Sequence, residues 1–421
     1  MVSSTGARRP TKSAPQVSRS EPQASEGHQV GQRGEAERRP ELERERAASA
    51  KARQDWEPHL KEQTQALDRT RAGLEGWMRR RLADPGLAIT AMRTPSGTGV
   101  ANETVIFDAA RTTGAAAGSS EGYVARLATP DSLYLDYELF VHYRMYQAMM
   151  AFPSVPTPGV LGYEPDAGVV GAPFFVMEKI DGAIATDRPS WAAEGFIVDA
   201  APAQRRALWE RTVRVMTGLH ALPPEPFAFL RTGRTKSGAG DCLDYWMRSL
   251  RWARPAEPVP LARECEEWLV ANLPDVTALS WGDSRLPNVI ARDFTPVGLL
   301  DWDLASLAGP QADLAWWILM DPPEARRLDG IGTHGELIDL WEEITGERAT
   351  ELRWYLVFGA YRLAAIFAKL FSMMVAQGHM TAEAARAQLA GGDHVQLISG
   401  LLDLTPPPGV TPRVPEVRLE R

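Results

Sequence analysis

The sequence predicts an α+β fold with two lobes, a smaller one built on an antiparallel sheet and a larger one that is mainly helical. Short β-type segments dominate from about residue 87 to 180, and helical patterns dominate from about residue 190 to 404. One predicted strand pair, near residue 290, interrupts the helices. Separate runs of strands and helices are typical of α+β proteins, and a cleft between lobes is a common place for a ligand.

The first predicted lobe begins with a helix, because apolar residues recur at helical spacing from Leu60 to Met78. Pro85 and Gly86 end this helix. A second helix, over 136–150, precedes a proline-rich turn. The predicted strands of this lobe cover residues 87–92, 104–107, 123–127, 160–163 and 174–178.

The second predicted lobe contains helices separated by one tight hairpin, with strands at 288–291 and 297–300. Its apolar stretch 354–376 contains Arg362 and Lys369, so we predict a buried helix rather than a membrane span. The prolines at 406–408 cannot continue a helix. The predicted helices cover 204–222, 242–252, 261–273 and most of 311–404.

The chain therefore divides into four predicted parts. The first is polar, charged and free of aromatic residues, and cannot bury enough apolar surface to order itself. The parts are a disordered charged tail (1–50), an N-terminal lobe (51–180), a helical C-terminal lobe with the catalytic loop and metal site (181–404) and a C-terminal tail (405–421).

Composition excludes several classes of function. The formal net charge of -8 argues against nucleic-acid binding. Two cysteines provide neither a zinc pattern nor a disulfide framework. The N-terminus lacks the apolar run of a secretory signal, so we expect a cytoplasmic protein without membrane attachment. The sequence leaves the oligomeric state open.

The most informative segment is WGDSRLPN at 281–288, followed by LLDWD at 299–303. Asp283 lies in a loop directly after a glycine, and the predicted hairpin would bring Asn288 and Asp301 together. Carboxylate and amide oxygens suit Mg²⁺, and a further carboxylate can orient a hydroxyl and accept its proton. A metal, positioning and charge neutralisation are what phosphoryl transfer requires.

This pattern resembles the aminoglycoside phosphotransferase and choline kinase superfamily, which has a protein-kinase-like fold and a His-Gly-Asp motif followed after four residues by Asn. The resemblance implies that Asp283 is the catalytic base, Asn288 a Mg²⁺ ligand and Asp301 the main Mg²⁺ ligand. It assigns Asp303 to the metal or to support of the loop, and Asp313 to support of the fold.

The resemblance extends upstream. Arg126 stands where protein kinases have a phosphate-binding lysine, and Glu138 stands where the family has the acidic partner of that lysine. The backbone around Glu178 and Ile180 corresponds to the hinge that receives the adenine edge. The loop over the nucleotide phosphates corresponds to Gly97, Thr98, Gly99 and Asn102.

Two positions depart from the family pattern, and a third has an open role. Trp281 replaces the histidine of the family motif, and Arg126 replaces the lysine, but the base and the metal ligands are unchanged. Arg285 has two interpretations, a contact to the transferring phosphate or a solvated loop residue.

The predicted function is Mg²⁺-dependent transfer of a phosphoryl group from ATP or GTP to a hydroxyl of an unidentified small molecule. Aromatic residues in the C-terminal helices favour a substrate of hydrophobic character over a polycationic one. A nucleotide-binding scaffold without catalysis is the alternative. A metal-dependent hydrolase ranks last, because the sequence offers no second cluster of carboxylates and histidines.

Overall fold

The computed structural model describes residues 67–94, 102–114, 117–129, 132–253, 255 and 258–419. The chain divides into two compact units, Met1–Asp68 and Arg69–Arg421, and only the second is described over most of its length. The predicted tail at 1–50 and Gly97, Thr98 and Gly99 of the predicted phosphate loop lie outside the described residues. Asn102 is described only as the first backbone position of a strand.

A five-stranded antiparallel sheet with the order β1-β2-β3-β5-β4 forms the N-terminal part of the second unit. Every second residue of β2, Val105, Phe107 and Ala109, is buried, as the period of a strand with one covered face requires. Helix α1, which includes residues 69–81, packs Leu74 and Trp77 against that face. The strands are β1 (Ala88–Arg93), β2 (Asn102–Ala110), β3 (Ser120–Ala128), β4 (Val160–Glu164) and β5 (Phe174–Glu178).

All five predicted strands of this sheet are confirmed. Helix α2 (Leu139–Met149) follows β3 and starts three residues later than predicted, after Asp136, whose φ is +50°. Its buried face shares a core with Phe175 of β5 and with Trp281 and Val289 of the predicted catalytic region. Apolar packing therefore joins the sheet to the hairpin.

A second, three-stranded sheet with the order β6-β7-β8 contains that hairpin. Its strands are β6 (Ala183–Ile184), β7 (Val289–Arg292) and β8 (Thr295–Leu299). The predicted hairpin is confirmed, although β7 starts one residue late because Leu286–Asn288 forms a 3₁₀ turn. The short strand β6 was not predicted.

Helices make up most of the remaining chain. They are α3 (Phe196–Asp199), α4 (Pro202–His220), α5 (Gly238–Ala253), α6 (Ala262–Ala271), α7 (Pro310–Met320), α8 (His334–Thr345), α9 (Leu352–Ala376), α10 (Ala382–Gly391) and α11 (Asp393–Leu402). Two further 3₁₀ turns lie at Glu225–Leu230 and Pro323–Arg327. Residues 405–419 contain neither helix nor strand.

Helix α9 is the centre of the helical part and packs against α5, α6, α7, α10 and α11. Its length and mean hydropathy of 1.5 would also suit a membrane span, but 61% of the most apolar window is buried inside the protein. The prediction of a buried helix is confirmed. Even Arg362, in the middle of this helix, is only 3% exposed.

Candidate active site

The loop that carries Asp283 is held by the buried carboxylate of Asp313, in the first turn of α7. The backbone N–H groups of Trp281 and Gly282 each donate to it at 2.7 Å, and Nε2 of His220 lies 2.8 Å from the same carboxylate. Trp341 donates to Nδ1 of His220 at 3.2 Å, so both ring nitrogens of this histidine have a partner. Asp313 thus supports the fold, as the sequence predicted, by fixing the backbone before Asp283.

Gly282 is needed for the shape of this loop. Its φ is +93°, and a Cβ at this position would lie 2.0 Å from the carbonyl oxygen of Leu304. Only a residue without a side chain fits there. The glycine therefore lets the catalytic loop approach the segment that follows Asp301.

Trp281, which replaces the motif histidine, also holds the loop. Its indole N–H donates to the carbonyl oxygen of Leu300 at 2.8 Å, and its ring lies 6.0 Å from that of Trp302. The substituted residue thus connects the catalytic loop to the end of β8 by a hydrogen bond and by packing.

Asp283 is 7% exposed and accepts three side-chain hydrogen bonds. Trp316 donates to Oδ1 at 2.6 Å, while Arg285 and Asn288 donate to Oδ2 at 3.1 and 2.7 Å. Since a carboxylate accepts about four hydrogen bonds, one acceptor position on Oδ1 remains for another donor. The Asp283 carboxylate is oriented from both sides by α7 and by its own loop.

The hairpin brings Asn288 and Asp301 to the same end of the β7–β8 pair, as predicted. The N–H of Leu300 donates to the carbonyl oxygen of Asn288 at 2.9 Å. Asp301 follows Leu300 directly in the chain and therefore lies close to Asn288. Asp301 adopts a left-handed backbone with φ +58°. Burial, followed by the nearby charges of Asp303 and Asp283, raises the pKa of Asp301 to about 7.

The predicted ion pair between Arg126 and Glu138 is wrong. Nη2 of Arg126 instead lies 3.4 Å from Asp303, and Nδ1 of His142 approaches the other oxygen of the same carboxylate at 2.5 Å. Glu138 is exposed at the start of α2, one turn before His142. The buried face of α2 begins after Glu138, so His142 is the residue that reaches the site.

Both oxygens of Asp303 are therefore engaged by basic side chains. Of its two predicted roles, metal ligand and support, the contacts favour support: Asp303 links β3 and α2 to the hairpin through Arg126 and His142. Although burial opposes its charge, Asp303 and further acidic groups raise the pKa of Arg126, which stays a cation. Asn288 and Asp301 are left as the predicted metal ligands.

The other predicted residues lie around this centre. Arg285 is neither solvated nor free, since it also donates to Asp187 at 2.6 Å. The N–H of Glu178 donates to the carbonyl of Gly159 at 2.8 Å, so an adenine contact at Glu178 would use its carbonyl oxygen. Ile180 packs against Gly298 of β8, where its Cδ1 would lie only 3.0 Å from an added Cβ.

Three side chains at the site were not predicted to lie there, namely His142, Trp316 and Arg362. The guanidinium of Arg362 stacks 4.1 Å over the Trp316 ring and donates to the carbonyl of Gly282 at 2.9 Å. Burial, opposed by nearby acidic groups, lowers its pKa. The charge of Arg362 inside an apolar helix was a usable sign of a buried polar contact. Its partner could not be predicted, because Gly282 lies 80 residues away in the sequence.

The donor chemistry fits Mg²⁺ bound partly by a substrate. Within the described ranges, no group of three or more His, Cys, Asp or Glu side chains could hold a metal. Mg²⁺ commonly takes one or two carboxylates and completes its shell with water and phosphate oxygens. An amide oxygen from Asn288 and a carboxylate from Asp301, crowded by other acidic groups, suit that arrangement.

Comparison with known proteins identifies the family. The profile of the phosphotransferase enzyme family matches residues 99–346, more than half of the chain, and the chain belongs to this family. This confirms the resemblance found in the motifs. A structure from Ralstonia eutropha JMP134, provisionally described as an aminoglycoside phosphotransferase, has a TM-score of 0.55 at 22% identity, over 75% of this chain and 94% of that one. The bilobal, protein-kinase-like α+β fold is thereby confirmed.

Curated relatives are longer proteins. The human protein named acyl-CoA dehydrogenase family member 11 is 26% identical over 271 residues, which are 59% of this chain and 33% of that protein. The chicken protein of the same name is 29% identical over 195 residues, 44% of this chain and 23% of that protein. The chain thus spans about a third or less of these two relatives.

Proposed function

We propose that this phosphotransferase moves the γ-phosphoryl group of ATP or GTP to a hydroxyl of a small molecule, with Mg²⁺ as cofactor. The bond between the γ-phosphorus and the bridging oxygen of the nucleotide breaks, and a bond to the acceptor oxygen forms. The acceptor proton passes to Asp283, and the nucleoside diphosphate leaves. In-line transfer of this kind depends on positioning and charge neutralisation more than on covalent chemistry by the protein.

The observation that carries the proposal is the fixed orientation of Asp283. Trp316 holds one carboxylate oxygen, and Asn288 and Arg285 hold the other, in a setting that is almost free of solvent. The remaining acceptor position on Oδ1 would receive the substrate hydroxyl. A carboxylate that is already aligned needs little reorganisation when the proton moves.

Asn288 and Asp301 would hold Mg²⁺, which supplies charge neutralisation on the phosphate oxygens. Their closeness follows from the hydrogen bond between Leu300 and Asn288 and does not depend on a bound ligand. Arg126, held against Asp303, would direct positive charge toward the same phosphates. The guanidinium remains charged at all relevant pH values and can contact two oxygens.

Thermal unfolding with and without Mg²⁺ and nucleotide tests the proposal without knowledge of the acceptor. Ligand that binds the folded state alone stabilises it, by about 2.7 kcal/mol at a concentration 100 times the Kd. We expect a rise in Tm that requires both ATP (or GTP) and Mg²⁺. The rise should disappear in Asp301→Asn and persist in Asp339→Asn, a matched change at an exposed position of α8.

Asp283→Asn separates binding from transfer. It should keep most of the Mg²⁺–nucleotide shift and lose slow nucleotide hydrolysis, in which water replaces the acceptor. Absence of any nucleotide shift in the wild type would contradict the proposal. A normal shift without turnover on any acceptor would favour the nucleotide-binding scaffold instead.

A further inference from the structure

A cavity of about 250 Å³ lies between the start of α2, the 3₁₀ turn at Glu225–Leu230, helix α5 and the segment after Asp301. Asp303 itself forms part of its wall. The volume is near the lower end for ligand pockets, which span roughly 300–1,000 Å³. Its size suits a small molecule, and its position borders the predicted metal site.

A chain of side-chain contacts runs from the cavity wall to the residues around Asp283. Trp246 forms part of its wall, and its ring lies 5.3 Å from the guanidinium of Arg362. Arg362 in turn contacts Trp316 and Gly282, the two residues that orient and precede Asp283. The raised pKa of Tyr134, caused by burial and then by Asp301, Asp303 and Asp283, agrees with this closeness.

Several aromatic side chains, among them Tyr134, Tyr245 and Trp246, line the cavity. The rings of Tyr134 and Trp246 meet edge to face at 6.4 Å, and those of Tyr245 and Trp246 do so at 5.2 Å. The hydroxyl of Tyr245 is turned to the carbonyl of Leu135 at 3.0 Å, so this tyrosine offers mainly its ring. Such a surface binds apolar or aromatic groups through area and ring packing.

Most charged residues of the wall are paired with oppositely charged side chains. Arg231 pairs with Asp241 at 2.7 Å, and Arg248 pairs with Asp136 at 3.1 Å. Asp303 is engaged by Arg126 and His142, as described above. Glu138 is exposed at the rim. A polycation would need several unpaired carboxylates to offset its desolvation, and the wall instead offers compensated pairs.

We propose that this cavity is the acceptor site and that the acceptor is an uncharged alcohol with an aromatic or aliphatic body. The inference rests on the proposed phosphotransferase function, because it assigns the acceptor of that reaction. The apolar body would lie among Tyr134, Tyr245 and Trp246, and the hydroxyl would point past Asp303 toward Asp283. Charged amines are disfavoured, because the carboxylates of Asp136, Asp241 and Asp303 are already paired with basic side chains.

Binding of two matched probes tests the charge preference. Choline and 3,3-dimethylbutan-1-ol have nearly the same shape and differ by one positive charge; 4-phenylbutan-1-ol adds a ring. Saturation-transfer NMR on the full chain, without nucleotide, should show binding of both neutral alcohols and at least roughly tenfold weaker binding of choline. Equal or tighter binding of choline, or binding of kanamycin alone, would overturn the inference.

Val141→Asp tests the location, because Val141 is a partly exposed residue of the cavity wall and a carboxylate there would lie against the apolar body of the ligand. We expect a roughly tenfold loss of 4-phenylbutan-1-ol binding with an unchanged Mg²⁺–nucleotide shift, which shows that the variant is folded. Val270→Asp, at a residue that is 55% exposed on α6, is the control and should bind normally. Equal binding by both variants would refute the assignment.

The two proposals fail in different ways. A normal Mg²⁺–nucleotide shift without binding of neutral alcohols would sink the acceptor assignment and leave the phosphotransferase proposal standing. Binding of neutral alcohols without any phosphate ester detected by ³¹P NMR in the presence of Mg²⁺–ATP would overturn the acceptor role of the cavity, whereas the absence of any Mg²⁺–nucleotide shift would overturn the phosphotransferase proposal itself.

Discussion

Replacement of Asp313 by asparagine provides a quantitative test of how the catalytic loop is held. The carboxylate accepts the N–H of Gly282 on one oxygen, and the N–H of Trp281 and the imidazole of His220 on the other. Asparagine has almost the same shape but only one acceptor oxygen. In its better orientation it keeps two of these donors and turns its NH₂ group toward the N–H of Gly282.

The expected cost follows from these contacts. A hydrogen bond to a charged group contributes about 1.5–3 kcal/mol, and a buried donor left without a partner costs about 1–3 kcal/mol. These figures overlap in part, so we expect Asp313→Asn to lower the free energy of unfolding by about 2–4 kcal/mol. That is a large share of the roughly 5–15 kcal/mol typical of folded proteins.

Urea unfolding, followed by tryptophan fluorescence, measures this difference. The midpoint should fall while the m-value stays constant, because the surface exposed on unfolding is unchanged. Asp339→Asn removes the same charge at an exposed position and should change stability by less than about 0.5 kcal/mol. If the two variants were equally stable, Asp313 would not be the anchor of the loop and the reasoning would be refuted.

Two predictions concern pH. Burial lowers the pKa of His394 from 6.5 to about 4, so the unfolded chain binds a proton that the folded chain excludes, and stability should fall by about 3 kcal/mol as pH drops from 6.5 to 4. Urea titrations at pH 7 and 4.5 should show a smaller fall in stability for His394→Gln than for the wild type. An equal fall in both proteins would contradict the assignment to His394. Although burial opposes its charge, hydrogen bonds from Thr112 hold the pKa of Asp84 well below its ordinary 3.8. The ionised carboxylate of Asp84 therefore stabilises the fold above pH 3.8, and this stabilisation is lost at lower pH. Asp84→Asn should lower Tm at pH 7, and the difference in Tm from wild type should become smaller in acid.

Much of the site was predictable because its central parts are close in sequence. Asp283, Asn288 and Asp301 lie within one loop and one hairpin, and period-two burial together with a tight turn determines how such a hairpin pairs. The five strands of the larger sheet were found for the same reason. Local spacing was enough to bring Asn288 and Asp301 to one end of the hairpin.

The failed ion pair shows where that reasoning stops. Arg126 and Asp303 are 177 residues apart, and His142 and Asp303 are 161 residues apart. Which residue of α2 faces the hairpin depends on the rotation and starting point of that helix, and these are set by packing in the shared core. Glu138 was predicted from its order in the chain, but the structure puts it before the buried face begins.

By itself the sequence determined the fold class and the order of the elements and was enough to predict a base and metal ligands, because hydrophobic period, turns and short motifs are local properties. Only the tertiary structure decided what orients them: Asp313 beneath the loop, Trp316 on Asp283, Arg362 on Gly282, and His142 with Arg126 on Asp303. These contacts join distant elements, and no local pattern specifies them. They form because buried polar groups must find partners, and the partners available are those that packing of the helices brings within reach.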